Sequence, residues 1–361
     1  MSKAIYQKLA NVLDTLPNGF PATDSGVEIR LLKKIFRPRD AALFCDLRLA
    51  FETAQQIAER TGRPLEGLED HLTEMRQRGQ IFGIEIGGVK VFKMAPWAFG
   101  IYEFQRPHMD RELAAMCEEF GRFYGKQFFS QKPQLMQVIP VEKEIPNKQQ
   151  ALAYEQVSGI IENSQSFAVF DCVCRKEKTL LDDACDKPLE SCTAYAPIPG
   201  VFDNSEHHRA ISKADAYAVL NKAEAAGLVH LTWNVEHGHF FICNCCGCCC
   251  GVLRAINDIG LKATDVINSY YYAEIDHDAC SSCGICRDER CQVGAIEAGE
   301  DYYDIVRAKC IGCGLCVSAC PEEVIALVRK PGDAIDPPPK DEMDWYERRA
   351  ITRGIDFSRY K

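Results

Sequence analysis

Two cysteine runs in the last third of the chain constrain its fold more than anything else in the 361 residues. The first is Cys280-Ser-Ser-Cys283-Gly-Ile-Cys286, then four residues, then Cys291. The second is Cys310-Ile-Gly-Cys313-Gly-Leu-Cys316, then three residues, then Cys320-Pro321. Their first three cysteines are offset by a constant 30 residues, an internal duplication. Triplets with a remote fourth thiol differ from the paired C-x2-C hooks of zinc sites. Such a triplet wraps one corner of a larger centre, because its turn leaves backbone N–H groups pointing at sulfur.

Over about residues 273–330 these runs resemble bacterial-type two-cluster ferredoxins. In that family the last cysteine of each run ligates the other run's cluster. The resemblance implies one [4Fe–4S] cluster on Cys280, Cys283, Cys286 and Cys320, and a second on Cys310, Cys313, Cys316 and Cys291. It also implies transfer of single electrons. Gly294-Ala295-Ile296 and Val324-Ile325-Ala326 supply the small and apolar packing that family members place beside each cluster. The first run departs from the pattern: Gln292 stands where the family usually has proline, and one extra residue precedes Cys291.

Twenty cysteines are far more than an ordinary globular chain carries, and eighteen of them lie between Cys172 and Cys320. Ten form a second constellation: Cys172, Cys174, Cys185 and Cys192, then Cys243, Cys245, Cys246, Cys248, Cys249 and Cys250. They are candidate ligands of one or two further iron–sulfur clusters, with a structural zinc site as the rival. Adjacent residues point in different directions, so the Cys243–Cys250 stretch is expected to straddle two centres or to feed an atypical cluster. Paired Cys-Cys-Gly cysteines resemble those of heterodisulfide-reductase subunits, although the spacings differ. The chain as a whole resembles ferredoxin-domain proteins of anaerobes with a long cysteine-rich N-terminal region. Arg175 is placed to offset cluster charge, or else is an ordinary surface cation. His207, His208, His230, His237 and His239 read as polar loop or strand residues. Cys45 and Cys117, outside any motif, read as small buried apolar residues.

The expected class is α+β and multidomain. Residues 1–105 form a winged-helix-like unit, 106–165 a helical connector and 166–272 a cysteine-rich domain; 273–330 are the ferredoxin module and 331–361 a tail. Helices are expected at Glu28–Phe36, Arg39–Ala50 and Glu52–Arg60. Another is expected from Pro64, with Leu65, Leu68, Leu72 and Met75 at helical spacing. IFGIEIGGVKVFKM then reads as a hairpin about Gly87-Gly88. Pro133, Pro140 and Pro146 suggest an extended linker before a helix at about Gln150–Asn163. A second helix-and-hairpin unit spans residues 213–244. The tail, with Pro337-Pro338-Pro339 and Trp345, either folds back on its own domain or grips a partner.

The formal charge of −10 disfavours wrapping nucleic acid. The start of the sequence lacks a signal-peptide h-region, and no apolar run reaches membrane-spanning length. A cytoplasmic location and metal-bound thiols follow, in a low-oxygen setting. No nucleotide loop and no catalytic serine–histidine–acid set is visible. The sequence thus points to an electron-transfer component between a ferredoxin or flavoprotein and a partner oxidoreductase. A redox-sensing winged-helix regulator, or a reductase acting at an atypical middle cluster, are the alternatives.

Overall fold

The computed structural model describes residues 2–146, 151–152, 155–203, 205 and 207–361. Its N-terminal part packs helices α1 (Ser2–Asp14), α2 (Val27–Ile35), α3 (Pro38–Phe44), α4 (Ala54–Thr61) and α5 (Leu68–Gln77) around Leu31, Phe44, Ile57, Leu72 and Met75. Thr53 caps α4 by accepting from the Gln56 N–H, and Gly62 ends it in a left-handed conformation. The helix expected from Pro64 begins only at Leu68: Gly67 is left-handed (φ 71°), which keeps Pro64 and the exposed Leu65 in the preceding turn. The helix expected to reach Ala50 stops at Phe44, where two turns carry the chain on. Strands β1 (Ile81–Ile86) and β2 (Val89–Met94) form the expected hairpin, with Gly87 and Gly88 both at positive φ.

A short α6 (Tyr102–Phe104) leads to the long α7 (Arg111–Phe129), which buries Leu113, Phe120 and Tyr124. The stretch expected to be a linker then supplies β3 (Met136–Ile139), a buried strand inside the main sheet. Apolar residues surround one polar side chain there. That is Gln137, which donates to the Val235 carbonyl and accepts from the Tyr270 hydroxyl. A strand covered on both faces shows no alternation, so the prolines at its ends dominated the sequence signal. Of the helix expected at Gln150–Asn163, α8 (Val157–Glu162) is present, and Gln150 lies outside the described residues.

The remaining elements of the sheet follow in order: β4 (Ser166–Asp171), α9 (Val173–Leu180), β5 (Glu190–Ala196), β6 (Arg209–Ile211), α10 (Lys213–Ala225), β7 (Val229–Trp233), β8 (Phe241–Cys245), α11 (Gly251–Asn257), α12 (Ala263–Val266) and β9 (Ile267–Asn268). The strand order is β6-β4-β5-β8-β7-β3-β9, antiparallel except for the parallel pair β3–β9. The helix-and-hairpin at 213–244 is therefore not a second wing. Its strands pair with β5 and β3 on their outer sides and form the middle of the sheet.

In the module at 273–330, β10 (Tyr271–Ile275) pairs with β13 (Ile325–Arg329), and β11 (Ile296–Ala298) with β12 (Tyr303–Ile305). The tail helix α13 (Glu342–Arg353) folds back, but onto the N-terminal half rather than onto the module. Trp345 Nε1 donates to the Gln134 carbonyl at 2.9 Å, and the buried Arg349 guanidinium donates to the carbonyls of Phe128, Gln131 and Pro133. The chain is thus a mixed α+β structure of several packed units.

Candidate iron-sulfur and metal centres

The two cysteine runs interleave, so that each of two cavities draws three thiols from one run and one from the other. One cavity is lined by Cys280, Cys283, Cys286 and Cys320, closed by Ile275, Tyr303, Val324 and Ile325. The other is lined by Cys291, Cys310, Cys313 and Cys316, closed by Ala273, Val293, Ala295 and Ile305. Backbone N–H groups point inward. Those of Ala273 and Gly312 each lie 3.4 Å from Cys310 Sγ, and that of Ala295 lies 3.1 Å from Cys291 Sγ. Gly312 is required at its turn, since a Cβ there would sit 2.2 Å from the Tyr271 carbonyl oxygen. Burial pushes the Cys313 thiol up to about 12 and raises those of Cys286, Cys310 and Cys316. Ionising them needs a cationic centre, and four thiols around each cavity, with N–H groups facing sulfur in the second, suit a [4Fe–4S] cluster.

In the middle region the fold separates the ten cysteines into six and four. Strand alternation puts Cys243 and Cys245 on one face of β8, beside Cys192 of the neighbouring β5. Cys172 precedes α9, Cys174 lies in its first turn, and Cys250 precedes α11. Together they form a closed ring of thiol–thiol contacts: Cys172, Cys174, Cys250, Cys245, Cys243, Cys192 and back to Cys172. The turn after β8 then aims Cys246, Cys248 and Cys249 away from the ring, towards Cys185.

In this second group all four sulfurs lie within 4.8 Å of one another. The Cys185–Cys246, Cys185–Cys249 and Cys248–Cys249 distances are 3.7, 3.8 and 3.6 Å. A hydrogen bond from Cys249 and the Arg175 guanidinium together hold the Cys246 thiol down to about 4, against its burial.

Arg175 stands between the two groups and is 1% exposed. It donates to the Asn244 carbonyl at 3.0 Å and to the Ser191 hydroxyl, and its Nη1 lies 3.6 Å from Cys246 Sγ. Among the described residues no carboxylate forms an ion pair with it. Negative charge beside Arg175 is available from Cys172 and Cys246, whose thiols are held below their ordinary value by hydrogen bonds from neighbouring thiols and by this guanidinium. A second buried arginine, Arg106, also feels Cys192 and Cys172.

The histidines are occupied elsewhere. His230 meets Asn244 at 2.5 Å, His239 meets Thr232, His208 meets Ser205, His207 faces the Arg76 carbonyl, and the His237 N–H donates to the Lys340 carbonyl. Cys117 is buried in the core with a thiol pushed up by burial, and Cys45 is half-buried with its thiol raised to about 11.

One contact was not foreseen from the sequence, although the residue that makes it had stood out. Gln292, at the family's proline position, accepts from the Gly247 N–H through Oε1 at 2.9 Å. Asn257 Nδ2 clamps the junction, donating to the Gln292 and Gly247 carbonyls at 3.0 and 3.2 Å. Around it, Val293, Ala295, Ile311 and Leu315 of the module share one apolar core with Cys245 and Cys250.

The family model of the 4Fe-4S binding domain matches residues 303–326. Over 91 residues the chain is 33% identical to an uncharacterized ferredoxin of Methanocaldococcus jannaschii, covering 25% of this chain and 52% of that protein. Over 53 residues it is 42% identical to a probable iron-sulfur protein of the Frd operon of Proteus vulgaris, covering 14% of this chain and 34% of that one. The chain thus spans about half and about a third of these relatives' lengths. No solved structure matches it. Among the described residues no helix is long and apolar enough to cross a membrane. The chain carries a 4Fe-4S ferredoxin domain at residues 303–326, within a mixed α+β structure related in sequence to iron–sulfur ferredoxins.

Proposed function

We propose that this chain is an electron-transfer protein or subunit. The eight module cysteines hold two [4Fe–4S] clusters, and the six-thiol ring holds a further polynuclear iron–sulfur centre that passes electrons on to a partner oxidoreductase. The observation that carries this reading is the Gln292–Gly247 contact. One peptide bond joins Cys291 to Gln292, one 2.9 Å hydrogen bond joins Gln292 to Gly247, and the next residues lead to Cys245. The path runs beside an apolar core that holds Val293, Ala295, Cys245 and Cys250, which suits transfer between two centres. At the other end Cys283 is exposed, so a ferredoxin or flavoprotein exchanges electrons there. When bound, each cluster takes up or releases one electron. The chain's residues exclude water, direct N–H groups at sulfur and, through Arg175, offset negative charge.

Six thiols exceed the four that an ordinary cubane uses, which favours an atypical centre in the ring. Burial of Cys172, Cys192, Cys245 and Cys250 favours a relay there over a site that meets substrate. The regulator reading is weaker. Glu74 holds Arg37 and Arg39, and Glu69 holds Lys90, so these three cations near α5 are already paired rather than free for phosphates. The reading includes a cytoplasmic, low-oxygen setting.

Iron and acid-labile sulfide quantitation with EPR on anaerobically purified protein tests the proposal. Clearly more than about eight irons per chain are expected, since two cubanes account for only that many. A preparation saturating at about eight, with only two ferredoxin-type signals, removes the ring centre.

A further inference from the structure

We propose that Cys185, Cys246, Cys248 and Cys249 hold one tetrahedral divalent ion of zinc type, Zn2+ or Fe2+ of like size, separate from the six-thiol ring. The proposal extends the electron-transfer reading without depending on it.

The sulfur spacing carries the argument. Four thiolates around one ion at metal–sulfur distances of about 2.3 Å stand about 3.8 Å apart along the tetrahedron's edges. The measured separations are 3.6, 3.7 and 3.8 Å, and all four sulfurs fall within 4.8 Å of one another. In a cubane each thiolate binds a different iron, so the sulfurs are set apart by the metal–metal spacing as well. This cage is too tight for that and fits one shared ion.

The local chain agrees. Cys246-Gly247-Cys248-Cys249 contains a C-x2-C hook, a spacing that zinc sites use. Four thiolates and a divalent ion carry a net charge of about −2, of which Arg175, 3.6 Å from Cys246 Sγ, offsets one.

Position gives the ion a task. Cys185 lies in the loop between α9 and β5, and the other three ligands flank Gly247, whose N–H meets Gln292. One closed four-coordinate ion fastens that loop to the turn on which the ferredoxin module rests. It sets the junction between the clusters without itself changing redox state where the ion is zinc.

The test uses full-length protein purified anaerobically. Absorption-edge spectroscopy of the cage metal should show four sulfur neighbours at about 2.3 Å and no close metal–metal scattering. Cys185→Ser and Cys248→Ser should each lose one metal equivalent while acid-labile sulfide and the ferredoxin EPR signals stay at wild-type levels. Cys248 is the exposed corner, so its serine variant is the one most certain to fold. Elemental analysis separates zinc from iron, and loss of either ion without sulfide supports the site. Loss of sulfide together with iron in either variant, or metal–metal scattering from the cage in the wild type, overturns it. An absent ring centre would leave the single-metal loss unchanged, so the two proposals fail separately.

Discussion

The ferredoxin module and the cysteine-rich sheet both gather thiols, yet they balance thiolate charge differently. In the module the balance is local. Backbone N–H groups at 3.1–3.4 Å face Cys291 and Cys310, supplied by turns one or a few residues away or by the adjacent β10. In the sheet region the thiols arrive from five segments, and a buried guanidinium serves the six-thiol ring and the four-thiol cage together. A centre balanced by its own turn can be moved between proteins as a short motif. One balanced by a single cation exists only where the whole sheet brings that cation in.

Removing the cation should therefore separate the two regions most sharply. Arg175→Met is expected to lose middle-region iron and to destabilise the chain by roughly 3–5 kcal/mol, because it strips a buried charge of its partner. Module EPR signals that fell in parallel would break the comparison. The next effect concerns pH. Burial raises the Glu177 carboxyl from its ordinary 4.5 to about 7, while Tyr102 donates to it at 2.7 Å. The folded state thus holds this proton more tightly than the unfolded one. Its stabilising contribution is whole below about pH 4.5 and drains away up to about pH 7, a loss of about 3 kcal/mol. Chemical denaturation between pH 5 and 8 should show that slope in the wild type and a flatter one in Glu177→Gln.

Smaller effects belong to the junction. Gly247→Ala places a Cβ 2.2 Å from the Gln292 carbonyl oxygen, so the turn and the module must part. A cost of about 1–3 kcal/mol and slower electron exchange between module and ring are expected, with both module clusters retained. Unchanged stopped-flow kinetics would remove Gln292–Gly247 from the path. Gln292→Ala, which deletes one hydrogen bond, should cost about 1 kcal/mol.

What the sequence disclosed follows the same division. The cross-run placement of Cys291 and Cys320 was legible through the ferredoxin resemblance, which two short motifs within 41 residues carry. The hairpin at Gly87-Gly88 was legible for a similar reason: two adjacent positive-φ glycines are a local device. Strand β3 was not, since its partners β7 and β9 lie more than 90 residues away and prolines at its borders imitate a linker. The ten middle cysteines were visible as candidates, but their division into ring and cage depends on pleat direction at β8 and on Cys185, 61 residues from Cys246. For Arg175 the sequence left two readings open, a cation offsetting cluster charge or a surface charge, because nothing next to it in sequence shows that it is buried.

The docking of α13 bears on how the chain comes together. The Tyr360 carbonyl accepts from the Leu49 N–H, Arg353 reaches the carbonyls of Asp14 and Leu16, and Lys93 pairs with Glu342. These links tie residues near 350 to the first hundred, so everything between is a long excursion that must return before the bundle is sealed. The N-terminal helices thus complete their packing against residues about 300 positions further along the chain. Without Trp345 and Tyr346 the apolar seat that they fill against Trp233 would stand open to water.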